Sequence, residues 1–116
     1  MILEILLMNA AKVKDNTELI KFLILCGAKV DIQNKFGDTA LMNAVQTPHN
    51  SETVQLLIKY SNVNLENKLG WSALMYAVTF NNVEYVKFLI NHKSKVTQKI
   101  IDAAMSIELV NILNKM

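Results

Sequence analysis

Apolar residues recur along the chain at helical spacing, in blocks separated by polar turns. In residues 40–45 (ALMNAV) and 73–78 (ALMYAV), Leu, Ala and Val fall at positions i, i+3 and i+4. This spacing places one apolar stripe along a short helix. The blocks 18–24 (ELIKFLI), 52–58 (ETVQLLI) and 84–90 (EYVKFLI) carry a similar stripe. The pattern therefore predicts helices in pairs, a short one followed by a longer one.

A glycine turn precedes two of the short helices. Gly37 and Gly70 are each followed two residues later by a hydroxyl residue, Thr39 and Ser72. Glycine adopts a positive φ without steric cost, and a Ser or Thr hydroxyl accepts a hydrogen bond from the first turn of a helix. We therefore expect Thr39 and Ser72 to be N-caps. Pro48 is expected in the turn between the paired helices.

The whole unit returns after 33 residues. Residues 34–45 (NKFGDTALMNAV) and 67–78 (NKLGWSALMYAV) are identical at eight of twelve positions. The period divides the chain into repeats at about residues 1–33, 34–66 and 67–99, and a degenerate C-terminal capping repeat follows. In that last unit, 100–116, IIDAA predicts a shortened inner helix and SIELVNIL a second helix capped by Ser106. Asn50 or Ser51 is expected to cap the second helix of the middle repeat.

These features together resemble ankyrin repeats over about residues 3–99. The resemblance implies an all-α repeat solenoid of helix-turn-helix pairs joined by hairpin turns, and we expect residues 1–116 to form a single domain. The chain departs from the family at one position. The family's T-P-L-H reads T-A-L-M at 39–42 and S-A-L-M at 72–75, so a methionine stands where the family has a histidine. That histidine normally makes polar ties between neighbouring turns.

The N-terminal segment MILEILLMNAA is apolar, but it contains Glu4 and has no basic lead. We interpret it as the first inner helix and not as a signal peptide. It begins without a preceding hairpin, which is consistent with a truncated cap or with a piece of a longer protein. The single cysteine, Cys26, fits a reducing compartment. We expect a cytoplasmic protein, or one in the host cytoplasm if it is an effector.

No residue set in the sequence suggests catalysis or cofactor binding. His49 and His92 lack ligand partners at metal-binding spacing, and Cys26 occupies a slot filled by Tyr or His in the other repeats. The three glycines are too scattered to cradle a phosphate. Asp38 and Glu66 are expected to be solvated turn carboxylates. We therefore predict no catalytic, metal or cofactor site and a protein that is not an enzyme.

Charge and hydropathy argue against two further classes of partner. The net charge is only +2, and all 12 basic residues are lysines spread through the repeats. Without arginine the chain lacks the bidentate guanine contact that is commonest in specific DNA recognition. No apolar run approaches the ~20 residues of a membrane-spanning helix. We expect neither nucleic acid nor membrane as a partner.

The resemblance implies that another protein binds the concave surface formed by hairpin tips and inner helices. We expect the chain to act there as a monomer and as an interaction module. Its alternative role is a structural spacer or capping segment of a larger ankyrin-repeat protein, including a host-interacting effector. For the tip aromatics, above all Trp71 and Phe80, packing on a neighbouring hairpin is the competing interpretation. The candidate partner-binding residues are Gln33, Lys35, Phe36, Asp38, Gln46, Thr47, Glu66, Lys68, Leu69, Trp71, Thr79 and Phe80.

Overall fold

The computed structural model describes residues 2–115, and these form eight helices and no β-strand. The ends of the expected domain, Met1 and Met116, lie outside the described residues. The helices are α1 (Ile2–Ala10), α2 (Thr17–Leu25), α3 (Ala40–Val45), α4 (Ser51–Tyr60), α5 (Ala73–Thr79), α6 (Val83–Asn91), α7 (Gln98–Ala103) and α8 (Ile107–Asn114).

The helices stack in two rows. The inner helices α1, α3, α5 and α7 contact one another in chain order, and the outer helices α2, α4, α6 and α8 do the same. Each inner helix also packs against the outer helix that follows it. The stack is elongated, with principal extents of 41 × 26 × 19 Å. The expected all-α repeat solenoid is confirmed.

Hydroxyl side chains begin three of these helices as the sequence predicted. The Oγ1 of Thr39 accepts a hydrogen bond from the Met42 amide at 3.2 Å, and the Oγ of Ser72 accepts one from Met75 at 3.3 Å. Ser106 caps α8 in the same way. Each cap satisfies an amide that has no partner within its helix, which fixes where the helix begins.

Asn50 stands at the N-cap position of α4, but its side chain makes no cap. Instead, its Nδ2 donates to the carbonyls of Ala11 at 3.1 Å and Ala44 at 3.4 Å. The residue is buried, and these carbonyls belong to the first and second repeats. The predicted capping role is therefore replaced by a tie between repeats, because buried polar groups need partners.

The core lies between the repeats. Leu41, Ala44, Leu74 and Ala77 are buried, as expected from their spacing. The alanines let neighbouring inner helices approach closely, while the leucines fill the space between the two rows. The core continues through the outer helices, where Leu57 and its repeat equivalents are also buried.

The turns between paired helices share one backbone conformation. Asp15, His49 and Asn81 adopt φ values of 62°, 57° and 55°, and each lies two residues before the first residue of an outer helix. Non-glycine residues rarely adopt this left-handed conformation. Three different side chains adopt it here, so the helix pairing determines the turn. Pro48 lies in one of these turns, as predicted.

Candidate partner-binding surface

Each hairpin tip is shaped by an asparagine at its start. The Oδ1 of Asn34 accepts hydrogen bonds from the amides of Phe36 at 2.9 Å and Asp38 at 3.0 Å. Asn67 repeats both contacts one repeat later, at 2.9 and 3.0 Å. In such Asx turns the asparagine side chain binds nearby backbone amides and so holds the loop in one conformation. Sequence reasoning missed this role, although Asn stands three residues before Gly in both tips.

The two tips are tied to each other. The amide of Lys68 donates to the Phe36 carbonyl at 3.0 Å. The Nε2 of Gln33 donates to the carbonyls of Gly37 at 2.8 Å and Glu66 at 2.9 Å, so one side chain bridges both tips. These contacts involve backbone atoms and therefore fix the spacing of the tips.

A partly buried polar cluster lies beneath the tips. The Oδ1 of Asp38 accepts hydrogen bonds from Asn67 Nδ2 at 2.9 Å and from the Tyr76 hydroxyl at 3.1 Å. Asn67 Nδ2 also donates to the Tyr76 oxygen at 2.9 Å. Burial, followed by the nearby charge of Asp38, raises the pKa of Tyr76. The phenol stays protonated and ties neighbouring repeats together, although the usual histidine of the family is absent.

Above this cluster lies an apolar groove between the tips. Phe36 is 60% exposed and Leu69 is 72% exposed, and they occupy equivalent positions in successive repeats. The groove has a volume of about 280 Å³. The Lys35 ammonium lies 5.2 Å from the centroid of the Phe36 ring. We call this the tip groove; its lining residues are Phe36, Asp38, Asn67, Lys68, Leu69 and Tyr76.

An aromatic row runs from the tip groove along α5. Trp71 is half-buried and meets Tyr76 edge-on, with ring centroids 5.0 Å apart. Phe80 follows, 6.4 Å from Tyr76, and is exposed. Trp71 therefore packs within its own repeat and also borders the surface. Tyr76 was not among the predicted residues. The signal was present, because Tyr76 replaces the Asn43 of the preceding repeat.

Phe80 also contributes to a second groove, at the ends of the inner helices. This groove has a volume of about 270 Å³ and is lined by Val45, Gln46, Pro48, Phe80 and Asn82. The Nε2 of Gln46 donates to the Met42 carbonyl at 3.1 Å, so the exposed amide is anchored to its own helix. The surface thus offers two separate apolar depressions joined by aromatic rings.

Thr47 is anchored and only partly accessible. Its Oγ1 donates to the carbonyls of Lys12 and Asn43, both at 3.3 Å. Its own carbonyl accepts a hydrogen bond from the buried Tyr85 hydroxyl at 2.8 Å. Thr47 therefore joins three repeats. Thr79, the fourth predicted residue at a helix end, is also half-buried.

Within residues 2–115 no group of three or more His, Cys, Asp or Glu side chains could hold a metal ion. None of the helices in the same range is long and apolar enough to cross a membrane.

The stacked helix pairs, their capped starts and their tied tips define a helical-repeat protein. Residues 7–100 match the family described as ankyrin repeats, in three copies. The chain belongs to the ankyrin-repeat family. Members of this family are in general non-enzymatic modules that bind other proteins.

Relatives come from animals and from large DNA viruses. The chain is 37% identical over 87 residues to the Ankyrin repeat and SAM domain-containing protein 6 of Rattus norvegicus, a match that covers 73% of this chain. It is 36% identical over 89 residues to an ankyrin repeat protein of Fowlpox virus, covering 74%. A mimivirus ankyrin repeat protein is 35% identical over 68 residues, covering 58%. The matches span only 10–20% of these relatives' lengths.

Proposed function

We propose that this chain is a non-enzymatic interaction module that binds another protein through its hairpin tips and inner-helix surface. One observation carries the proposal. Phe36 and Leu69 are exposed side by side on tips whose backbones are tied together. Exposed apolar side chains ringed by polar groups have the character of binding hot spots.

The surroundings of the groove suggest what the partner presents. The floor contains Asp38 and Asn67, which are hydrogen-bonded to Tyr76. Phe36 and Leu69 stand exposed above it, and Lys35 and Lys68 are exposed around it. A partner with a protruding apolar side chain flanked by carboxylates matches this arrangement. Because the two lysines are solvated, they mainly affect the association rate and its salt dependence, and the apolar contact supplies most of the affinity.

The test uses the chain as bait, with Leu69→Ala as the principal variant. Leu69 is largely exposed, so its removal changes the surface without opening the core. The matched control is Leu25→Ala on α2, at a position that is 85% exposed and lies on the outer row. Proteins captured by the wild type and by Leu25→Ala should be lost with Leu69→Ala. For a purified partner we expect affinity to fall by about 2 kcal/mol or more.

Trp71→Ala is a less clean probe than Leu69→Ala. Trp71 is half-buried and packs edge-on against Tyr76, so its removal weakens the fold as well as the surface. We therefore expect Trp71→Ala to lower both the melting temperature and the affinity. If binding by the folded variant were normal, Trp71 would have only a packing role.

A structural spacer or capping segment is the competing role. It is favoured by the use of Gln33, Asp38 and Thr47 in ties between repeats, since these groups are then occupied. If neither Leu69→Ala nor Phe36→Ala changes any capture, the spacer role is supported and the binding proposal fails.

The viral relatives make a host-cell lysate a suitable source for the capture experiment, because a host-interacting effector would find its partner there. In this proposal the module acts in the cytoplasm, where the exposed thiol of Cys26 stays reduced.

A further inference from the structure

The last helix pair, α7 and α8, has no hairpin tip in front of it. The tips that precede α3 and α5 are residues 31–38 and 64–71, which we call the first tip and the second tip. Each follows a valine and ends at the N-cap of the next helix. Ahead of α7 the equivalent valine, Val96, is followed directly by the N-cap Thr97. The chain therefore skips one tip between two helix pairs.

The repeat register is intact on both sides of the skipped tip. The Oδ1 of Asp31 accepts a hydrogen bond from the Asn62 amide at 2.9 Å. One repeat later the Oδ1 of Asn64 accepts the equivalent bond from the Lys95 amide at 2.7 Å. Beyond the skip, α7 packs on α5 as the other inner helices pack on their neighbours. The loss is therefore local and leaves an opening beside the second tip.

The first tip is covered at the position where the second tip is open. Gly37 is buried against the second tip, whose Lys68 amide donates to the Phe36 carbonyl at 3.0 Å. Gly70, the equivalent glycine, is exposed. The equivalent acceptor, the Leu69 carbonyl, has no hydrogen-bond partner within residues 2–115. The two tips share their internal hydrogen bonds, so this carbonyl lies where an amide of a following tip would reach it.

One side-chain difference leaves a second carbonyl free. In the first tip the Nε2 of Gln33 donates to the Gly37 carbonyl at 2.8 Å. Its equivalent in the second tip is Glu66, and an ionised carboxylate only accepts hydrogen bonds. The Gly70 carbonyl accordingly has no partner among the described residues. The second tip thus presents two backbone acceptors beside the opening.

The same opening is bordered by charge. Lys95 and Lys99 are exposed, and with Glu66 they give the opening a net charge of +1, from two lysines and one carboxylate. Its base is a depression of about 40 Å³, little more than the ~30 Å³ that a water molecule occupies in the liquid. The depression admits a small group such as a carboxylate. We call this opening the notch; its polar lining includes Glu66, Gly70, Ser72, Lys95, Thr97 and Lys99.

We propose that an extended loop of the partner protein fills the notch, with a backbone amide on the Leu69 carbonyl and an Asp or Glu side chain between Lys95 and Lys99. This inference rests on the proposed function and specifies what the partner presents. A polypeptide loop supplies both an amide donor for the free carbonyls and a carboxylate for the lysines. A nucleic-acid phosphate would match the lysines alone and would be repelled by Glu66.

Two hydroxyls fit the same carboxylate. The oxygens of Ser72 and Thr97 each accept a hydrogen bond from their own helix at 3.3 Å, so each still has its O–H to donate. The notch is also continuous with the tip groove, because the Leu69 side chain lines the groove and its carbonyl borders the notch. A partner that reaches over the second tip would therefore use both.

The test fills the notch with the chain's own sequence. A copy of residues 64–71 inserted between Val96 and Thr97 restores the skipped tip, and we call this the filled variant. The probe is a displayed library of random twelve-residue peptides, selected on the wild type and then measured as synthetic peptides. We expect a group of selected peptides to bind the filled variant at least about tenfold more weakly, and every peptide of this group to contain Asp or Glu.

Lysine substitutions test the same chemistry if circular dichroism shows that the filled variant is unfolded. Lys95→Ala and Lys99→Ala should each weaken binding of acidic peptides by about two- to fivefold, and less at high salt. Lys87→Ala is the matched control, since it removes the same charge from an exposed site on α6 and should change nothing. Peptides that bind the filled variant and both notch lysine variants normally, or that respond equally to Lys87→Ala, would overturn the proposal.

Leu69→Ala separates this proposal from the proposed function. A partner protein that is lost with Leu69→Ala but still binds the filled variant uses the tip groove alone, and the notch proposal is then wrong. If Leu69→Ala, Phe36→Ala and the filled variant all leave every capture unchanged, both proposals fail. Loss of the partner with Leu69→Ala and with the folded filled variant supports both.

Discussion

Gly37 and Gly70 form a natural matched pair for testing how the tips are held together. They occupy the same turn position in successive repeats, with φ values of 82° and 78°. Their surroundings differ sharply. A Cβ on Gly37 would lie 2.8 Å from the Lys68 nitrogen and 2.9 Å from the Cα of Asn67, both backbone atoms of the next tip. A Cβ on Gly70 would meet only the Lys99 ammonium, at 3.9 Å.

The structure gives a different cost for each alanine substitution. Both Gly37→Ala and Gly70→Ala place a side chain at positive φ, which costs about 1–2 kcal/mol. Gly37→Ala must also push the next tip away, and this weakens the hydrogen bond from the Lys68 amide to Phe36, worth about 1 kcal/mol. We therefore expect Gly70→Ala to lose about 1–2 kcal/mol and Gly37→Ala about 2–3 kcal/mol or more.

Urea unfolding followed by circular dichroism measures both losses directly, since the helical signal reports the whole stack. The backbone cost is common to the two variants, so their difference isolates the contact between tips. Equal losses for Gly37→Ala and Gly70→Ala would refute the close approach of the tips. A larger loss for Gly70→Ala would refute it as well.

The remaining predictions concern the core, the tyrosines and the left-handed turns. Leu74→Ala should lower the free energy of unfolding by about 2–5 kcal/mol, because it opens a cavity in the middle of the stack; an unchanged urea midpoint would contradict this. Burial raises the pKa of Tyr76 and Tyr85 in the fold. The stabilisation that this shift gives the folded state is thus complete below about pH 10 and is lost as pH rises through the folded pKa. Melting temperatures should therefore fall at alkaline pH, and they should fall less for Tyr76→Phe than for the wild type. His49→Gly should raise the free energy of unfolding by up to about 1 kcal/mol, since glycine tolerates its positive φ; a lowered urea midpoint would argue against that turn.

The architecture could be predicted from sequence because its determinants are local. A 33-residue period, a turn glycine and a hydroxyl two residues later are visible in the sequence alone. Thr39 and Ser72 cap their helices as expected, and Leu41 and Leu74 are buried as their spacing requires. The turns, caps and apolar stripes each depend on residues within a few positions of one another, and the 33-residue period shows that the same local unit recurs.

The polar ties could not be predicted, because each one joins residues from different repeats. Tyr85 occupies a helix position that reads as apolar, yet its hydroxyl accepts from the Asn50 amide at 2.8 Å, 35 residues away. Asn50 is separated from its partner Ala11 by 39 residues, so the expected cap became a tie. For Trp71 the sequence left surface and packing roles open; the structure shows its contact with Tyr76, and the side chain is half-buried.

The ties and the exposed tip residues have different consequences for function. A spacer needs rigid contacts between repeats, and Asp38 with Asn67 would serve it well. Rigidity alone does not require exposed apolar side chains on the tips, and exposing them carries a risk of non-specific association. Placed on a fixed backbone, however, Phe36 and Leu69 would lose little conformational freedom when a partner covers them, so more of their burial energy appears as affinity. The combination of tied tips and exposed anchors therefore favours recognition over spacing.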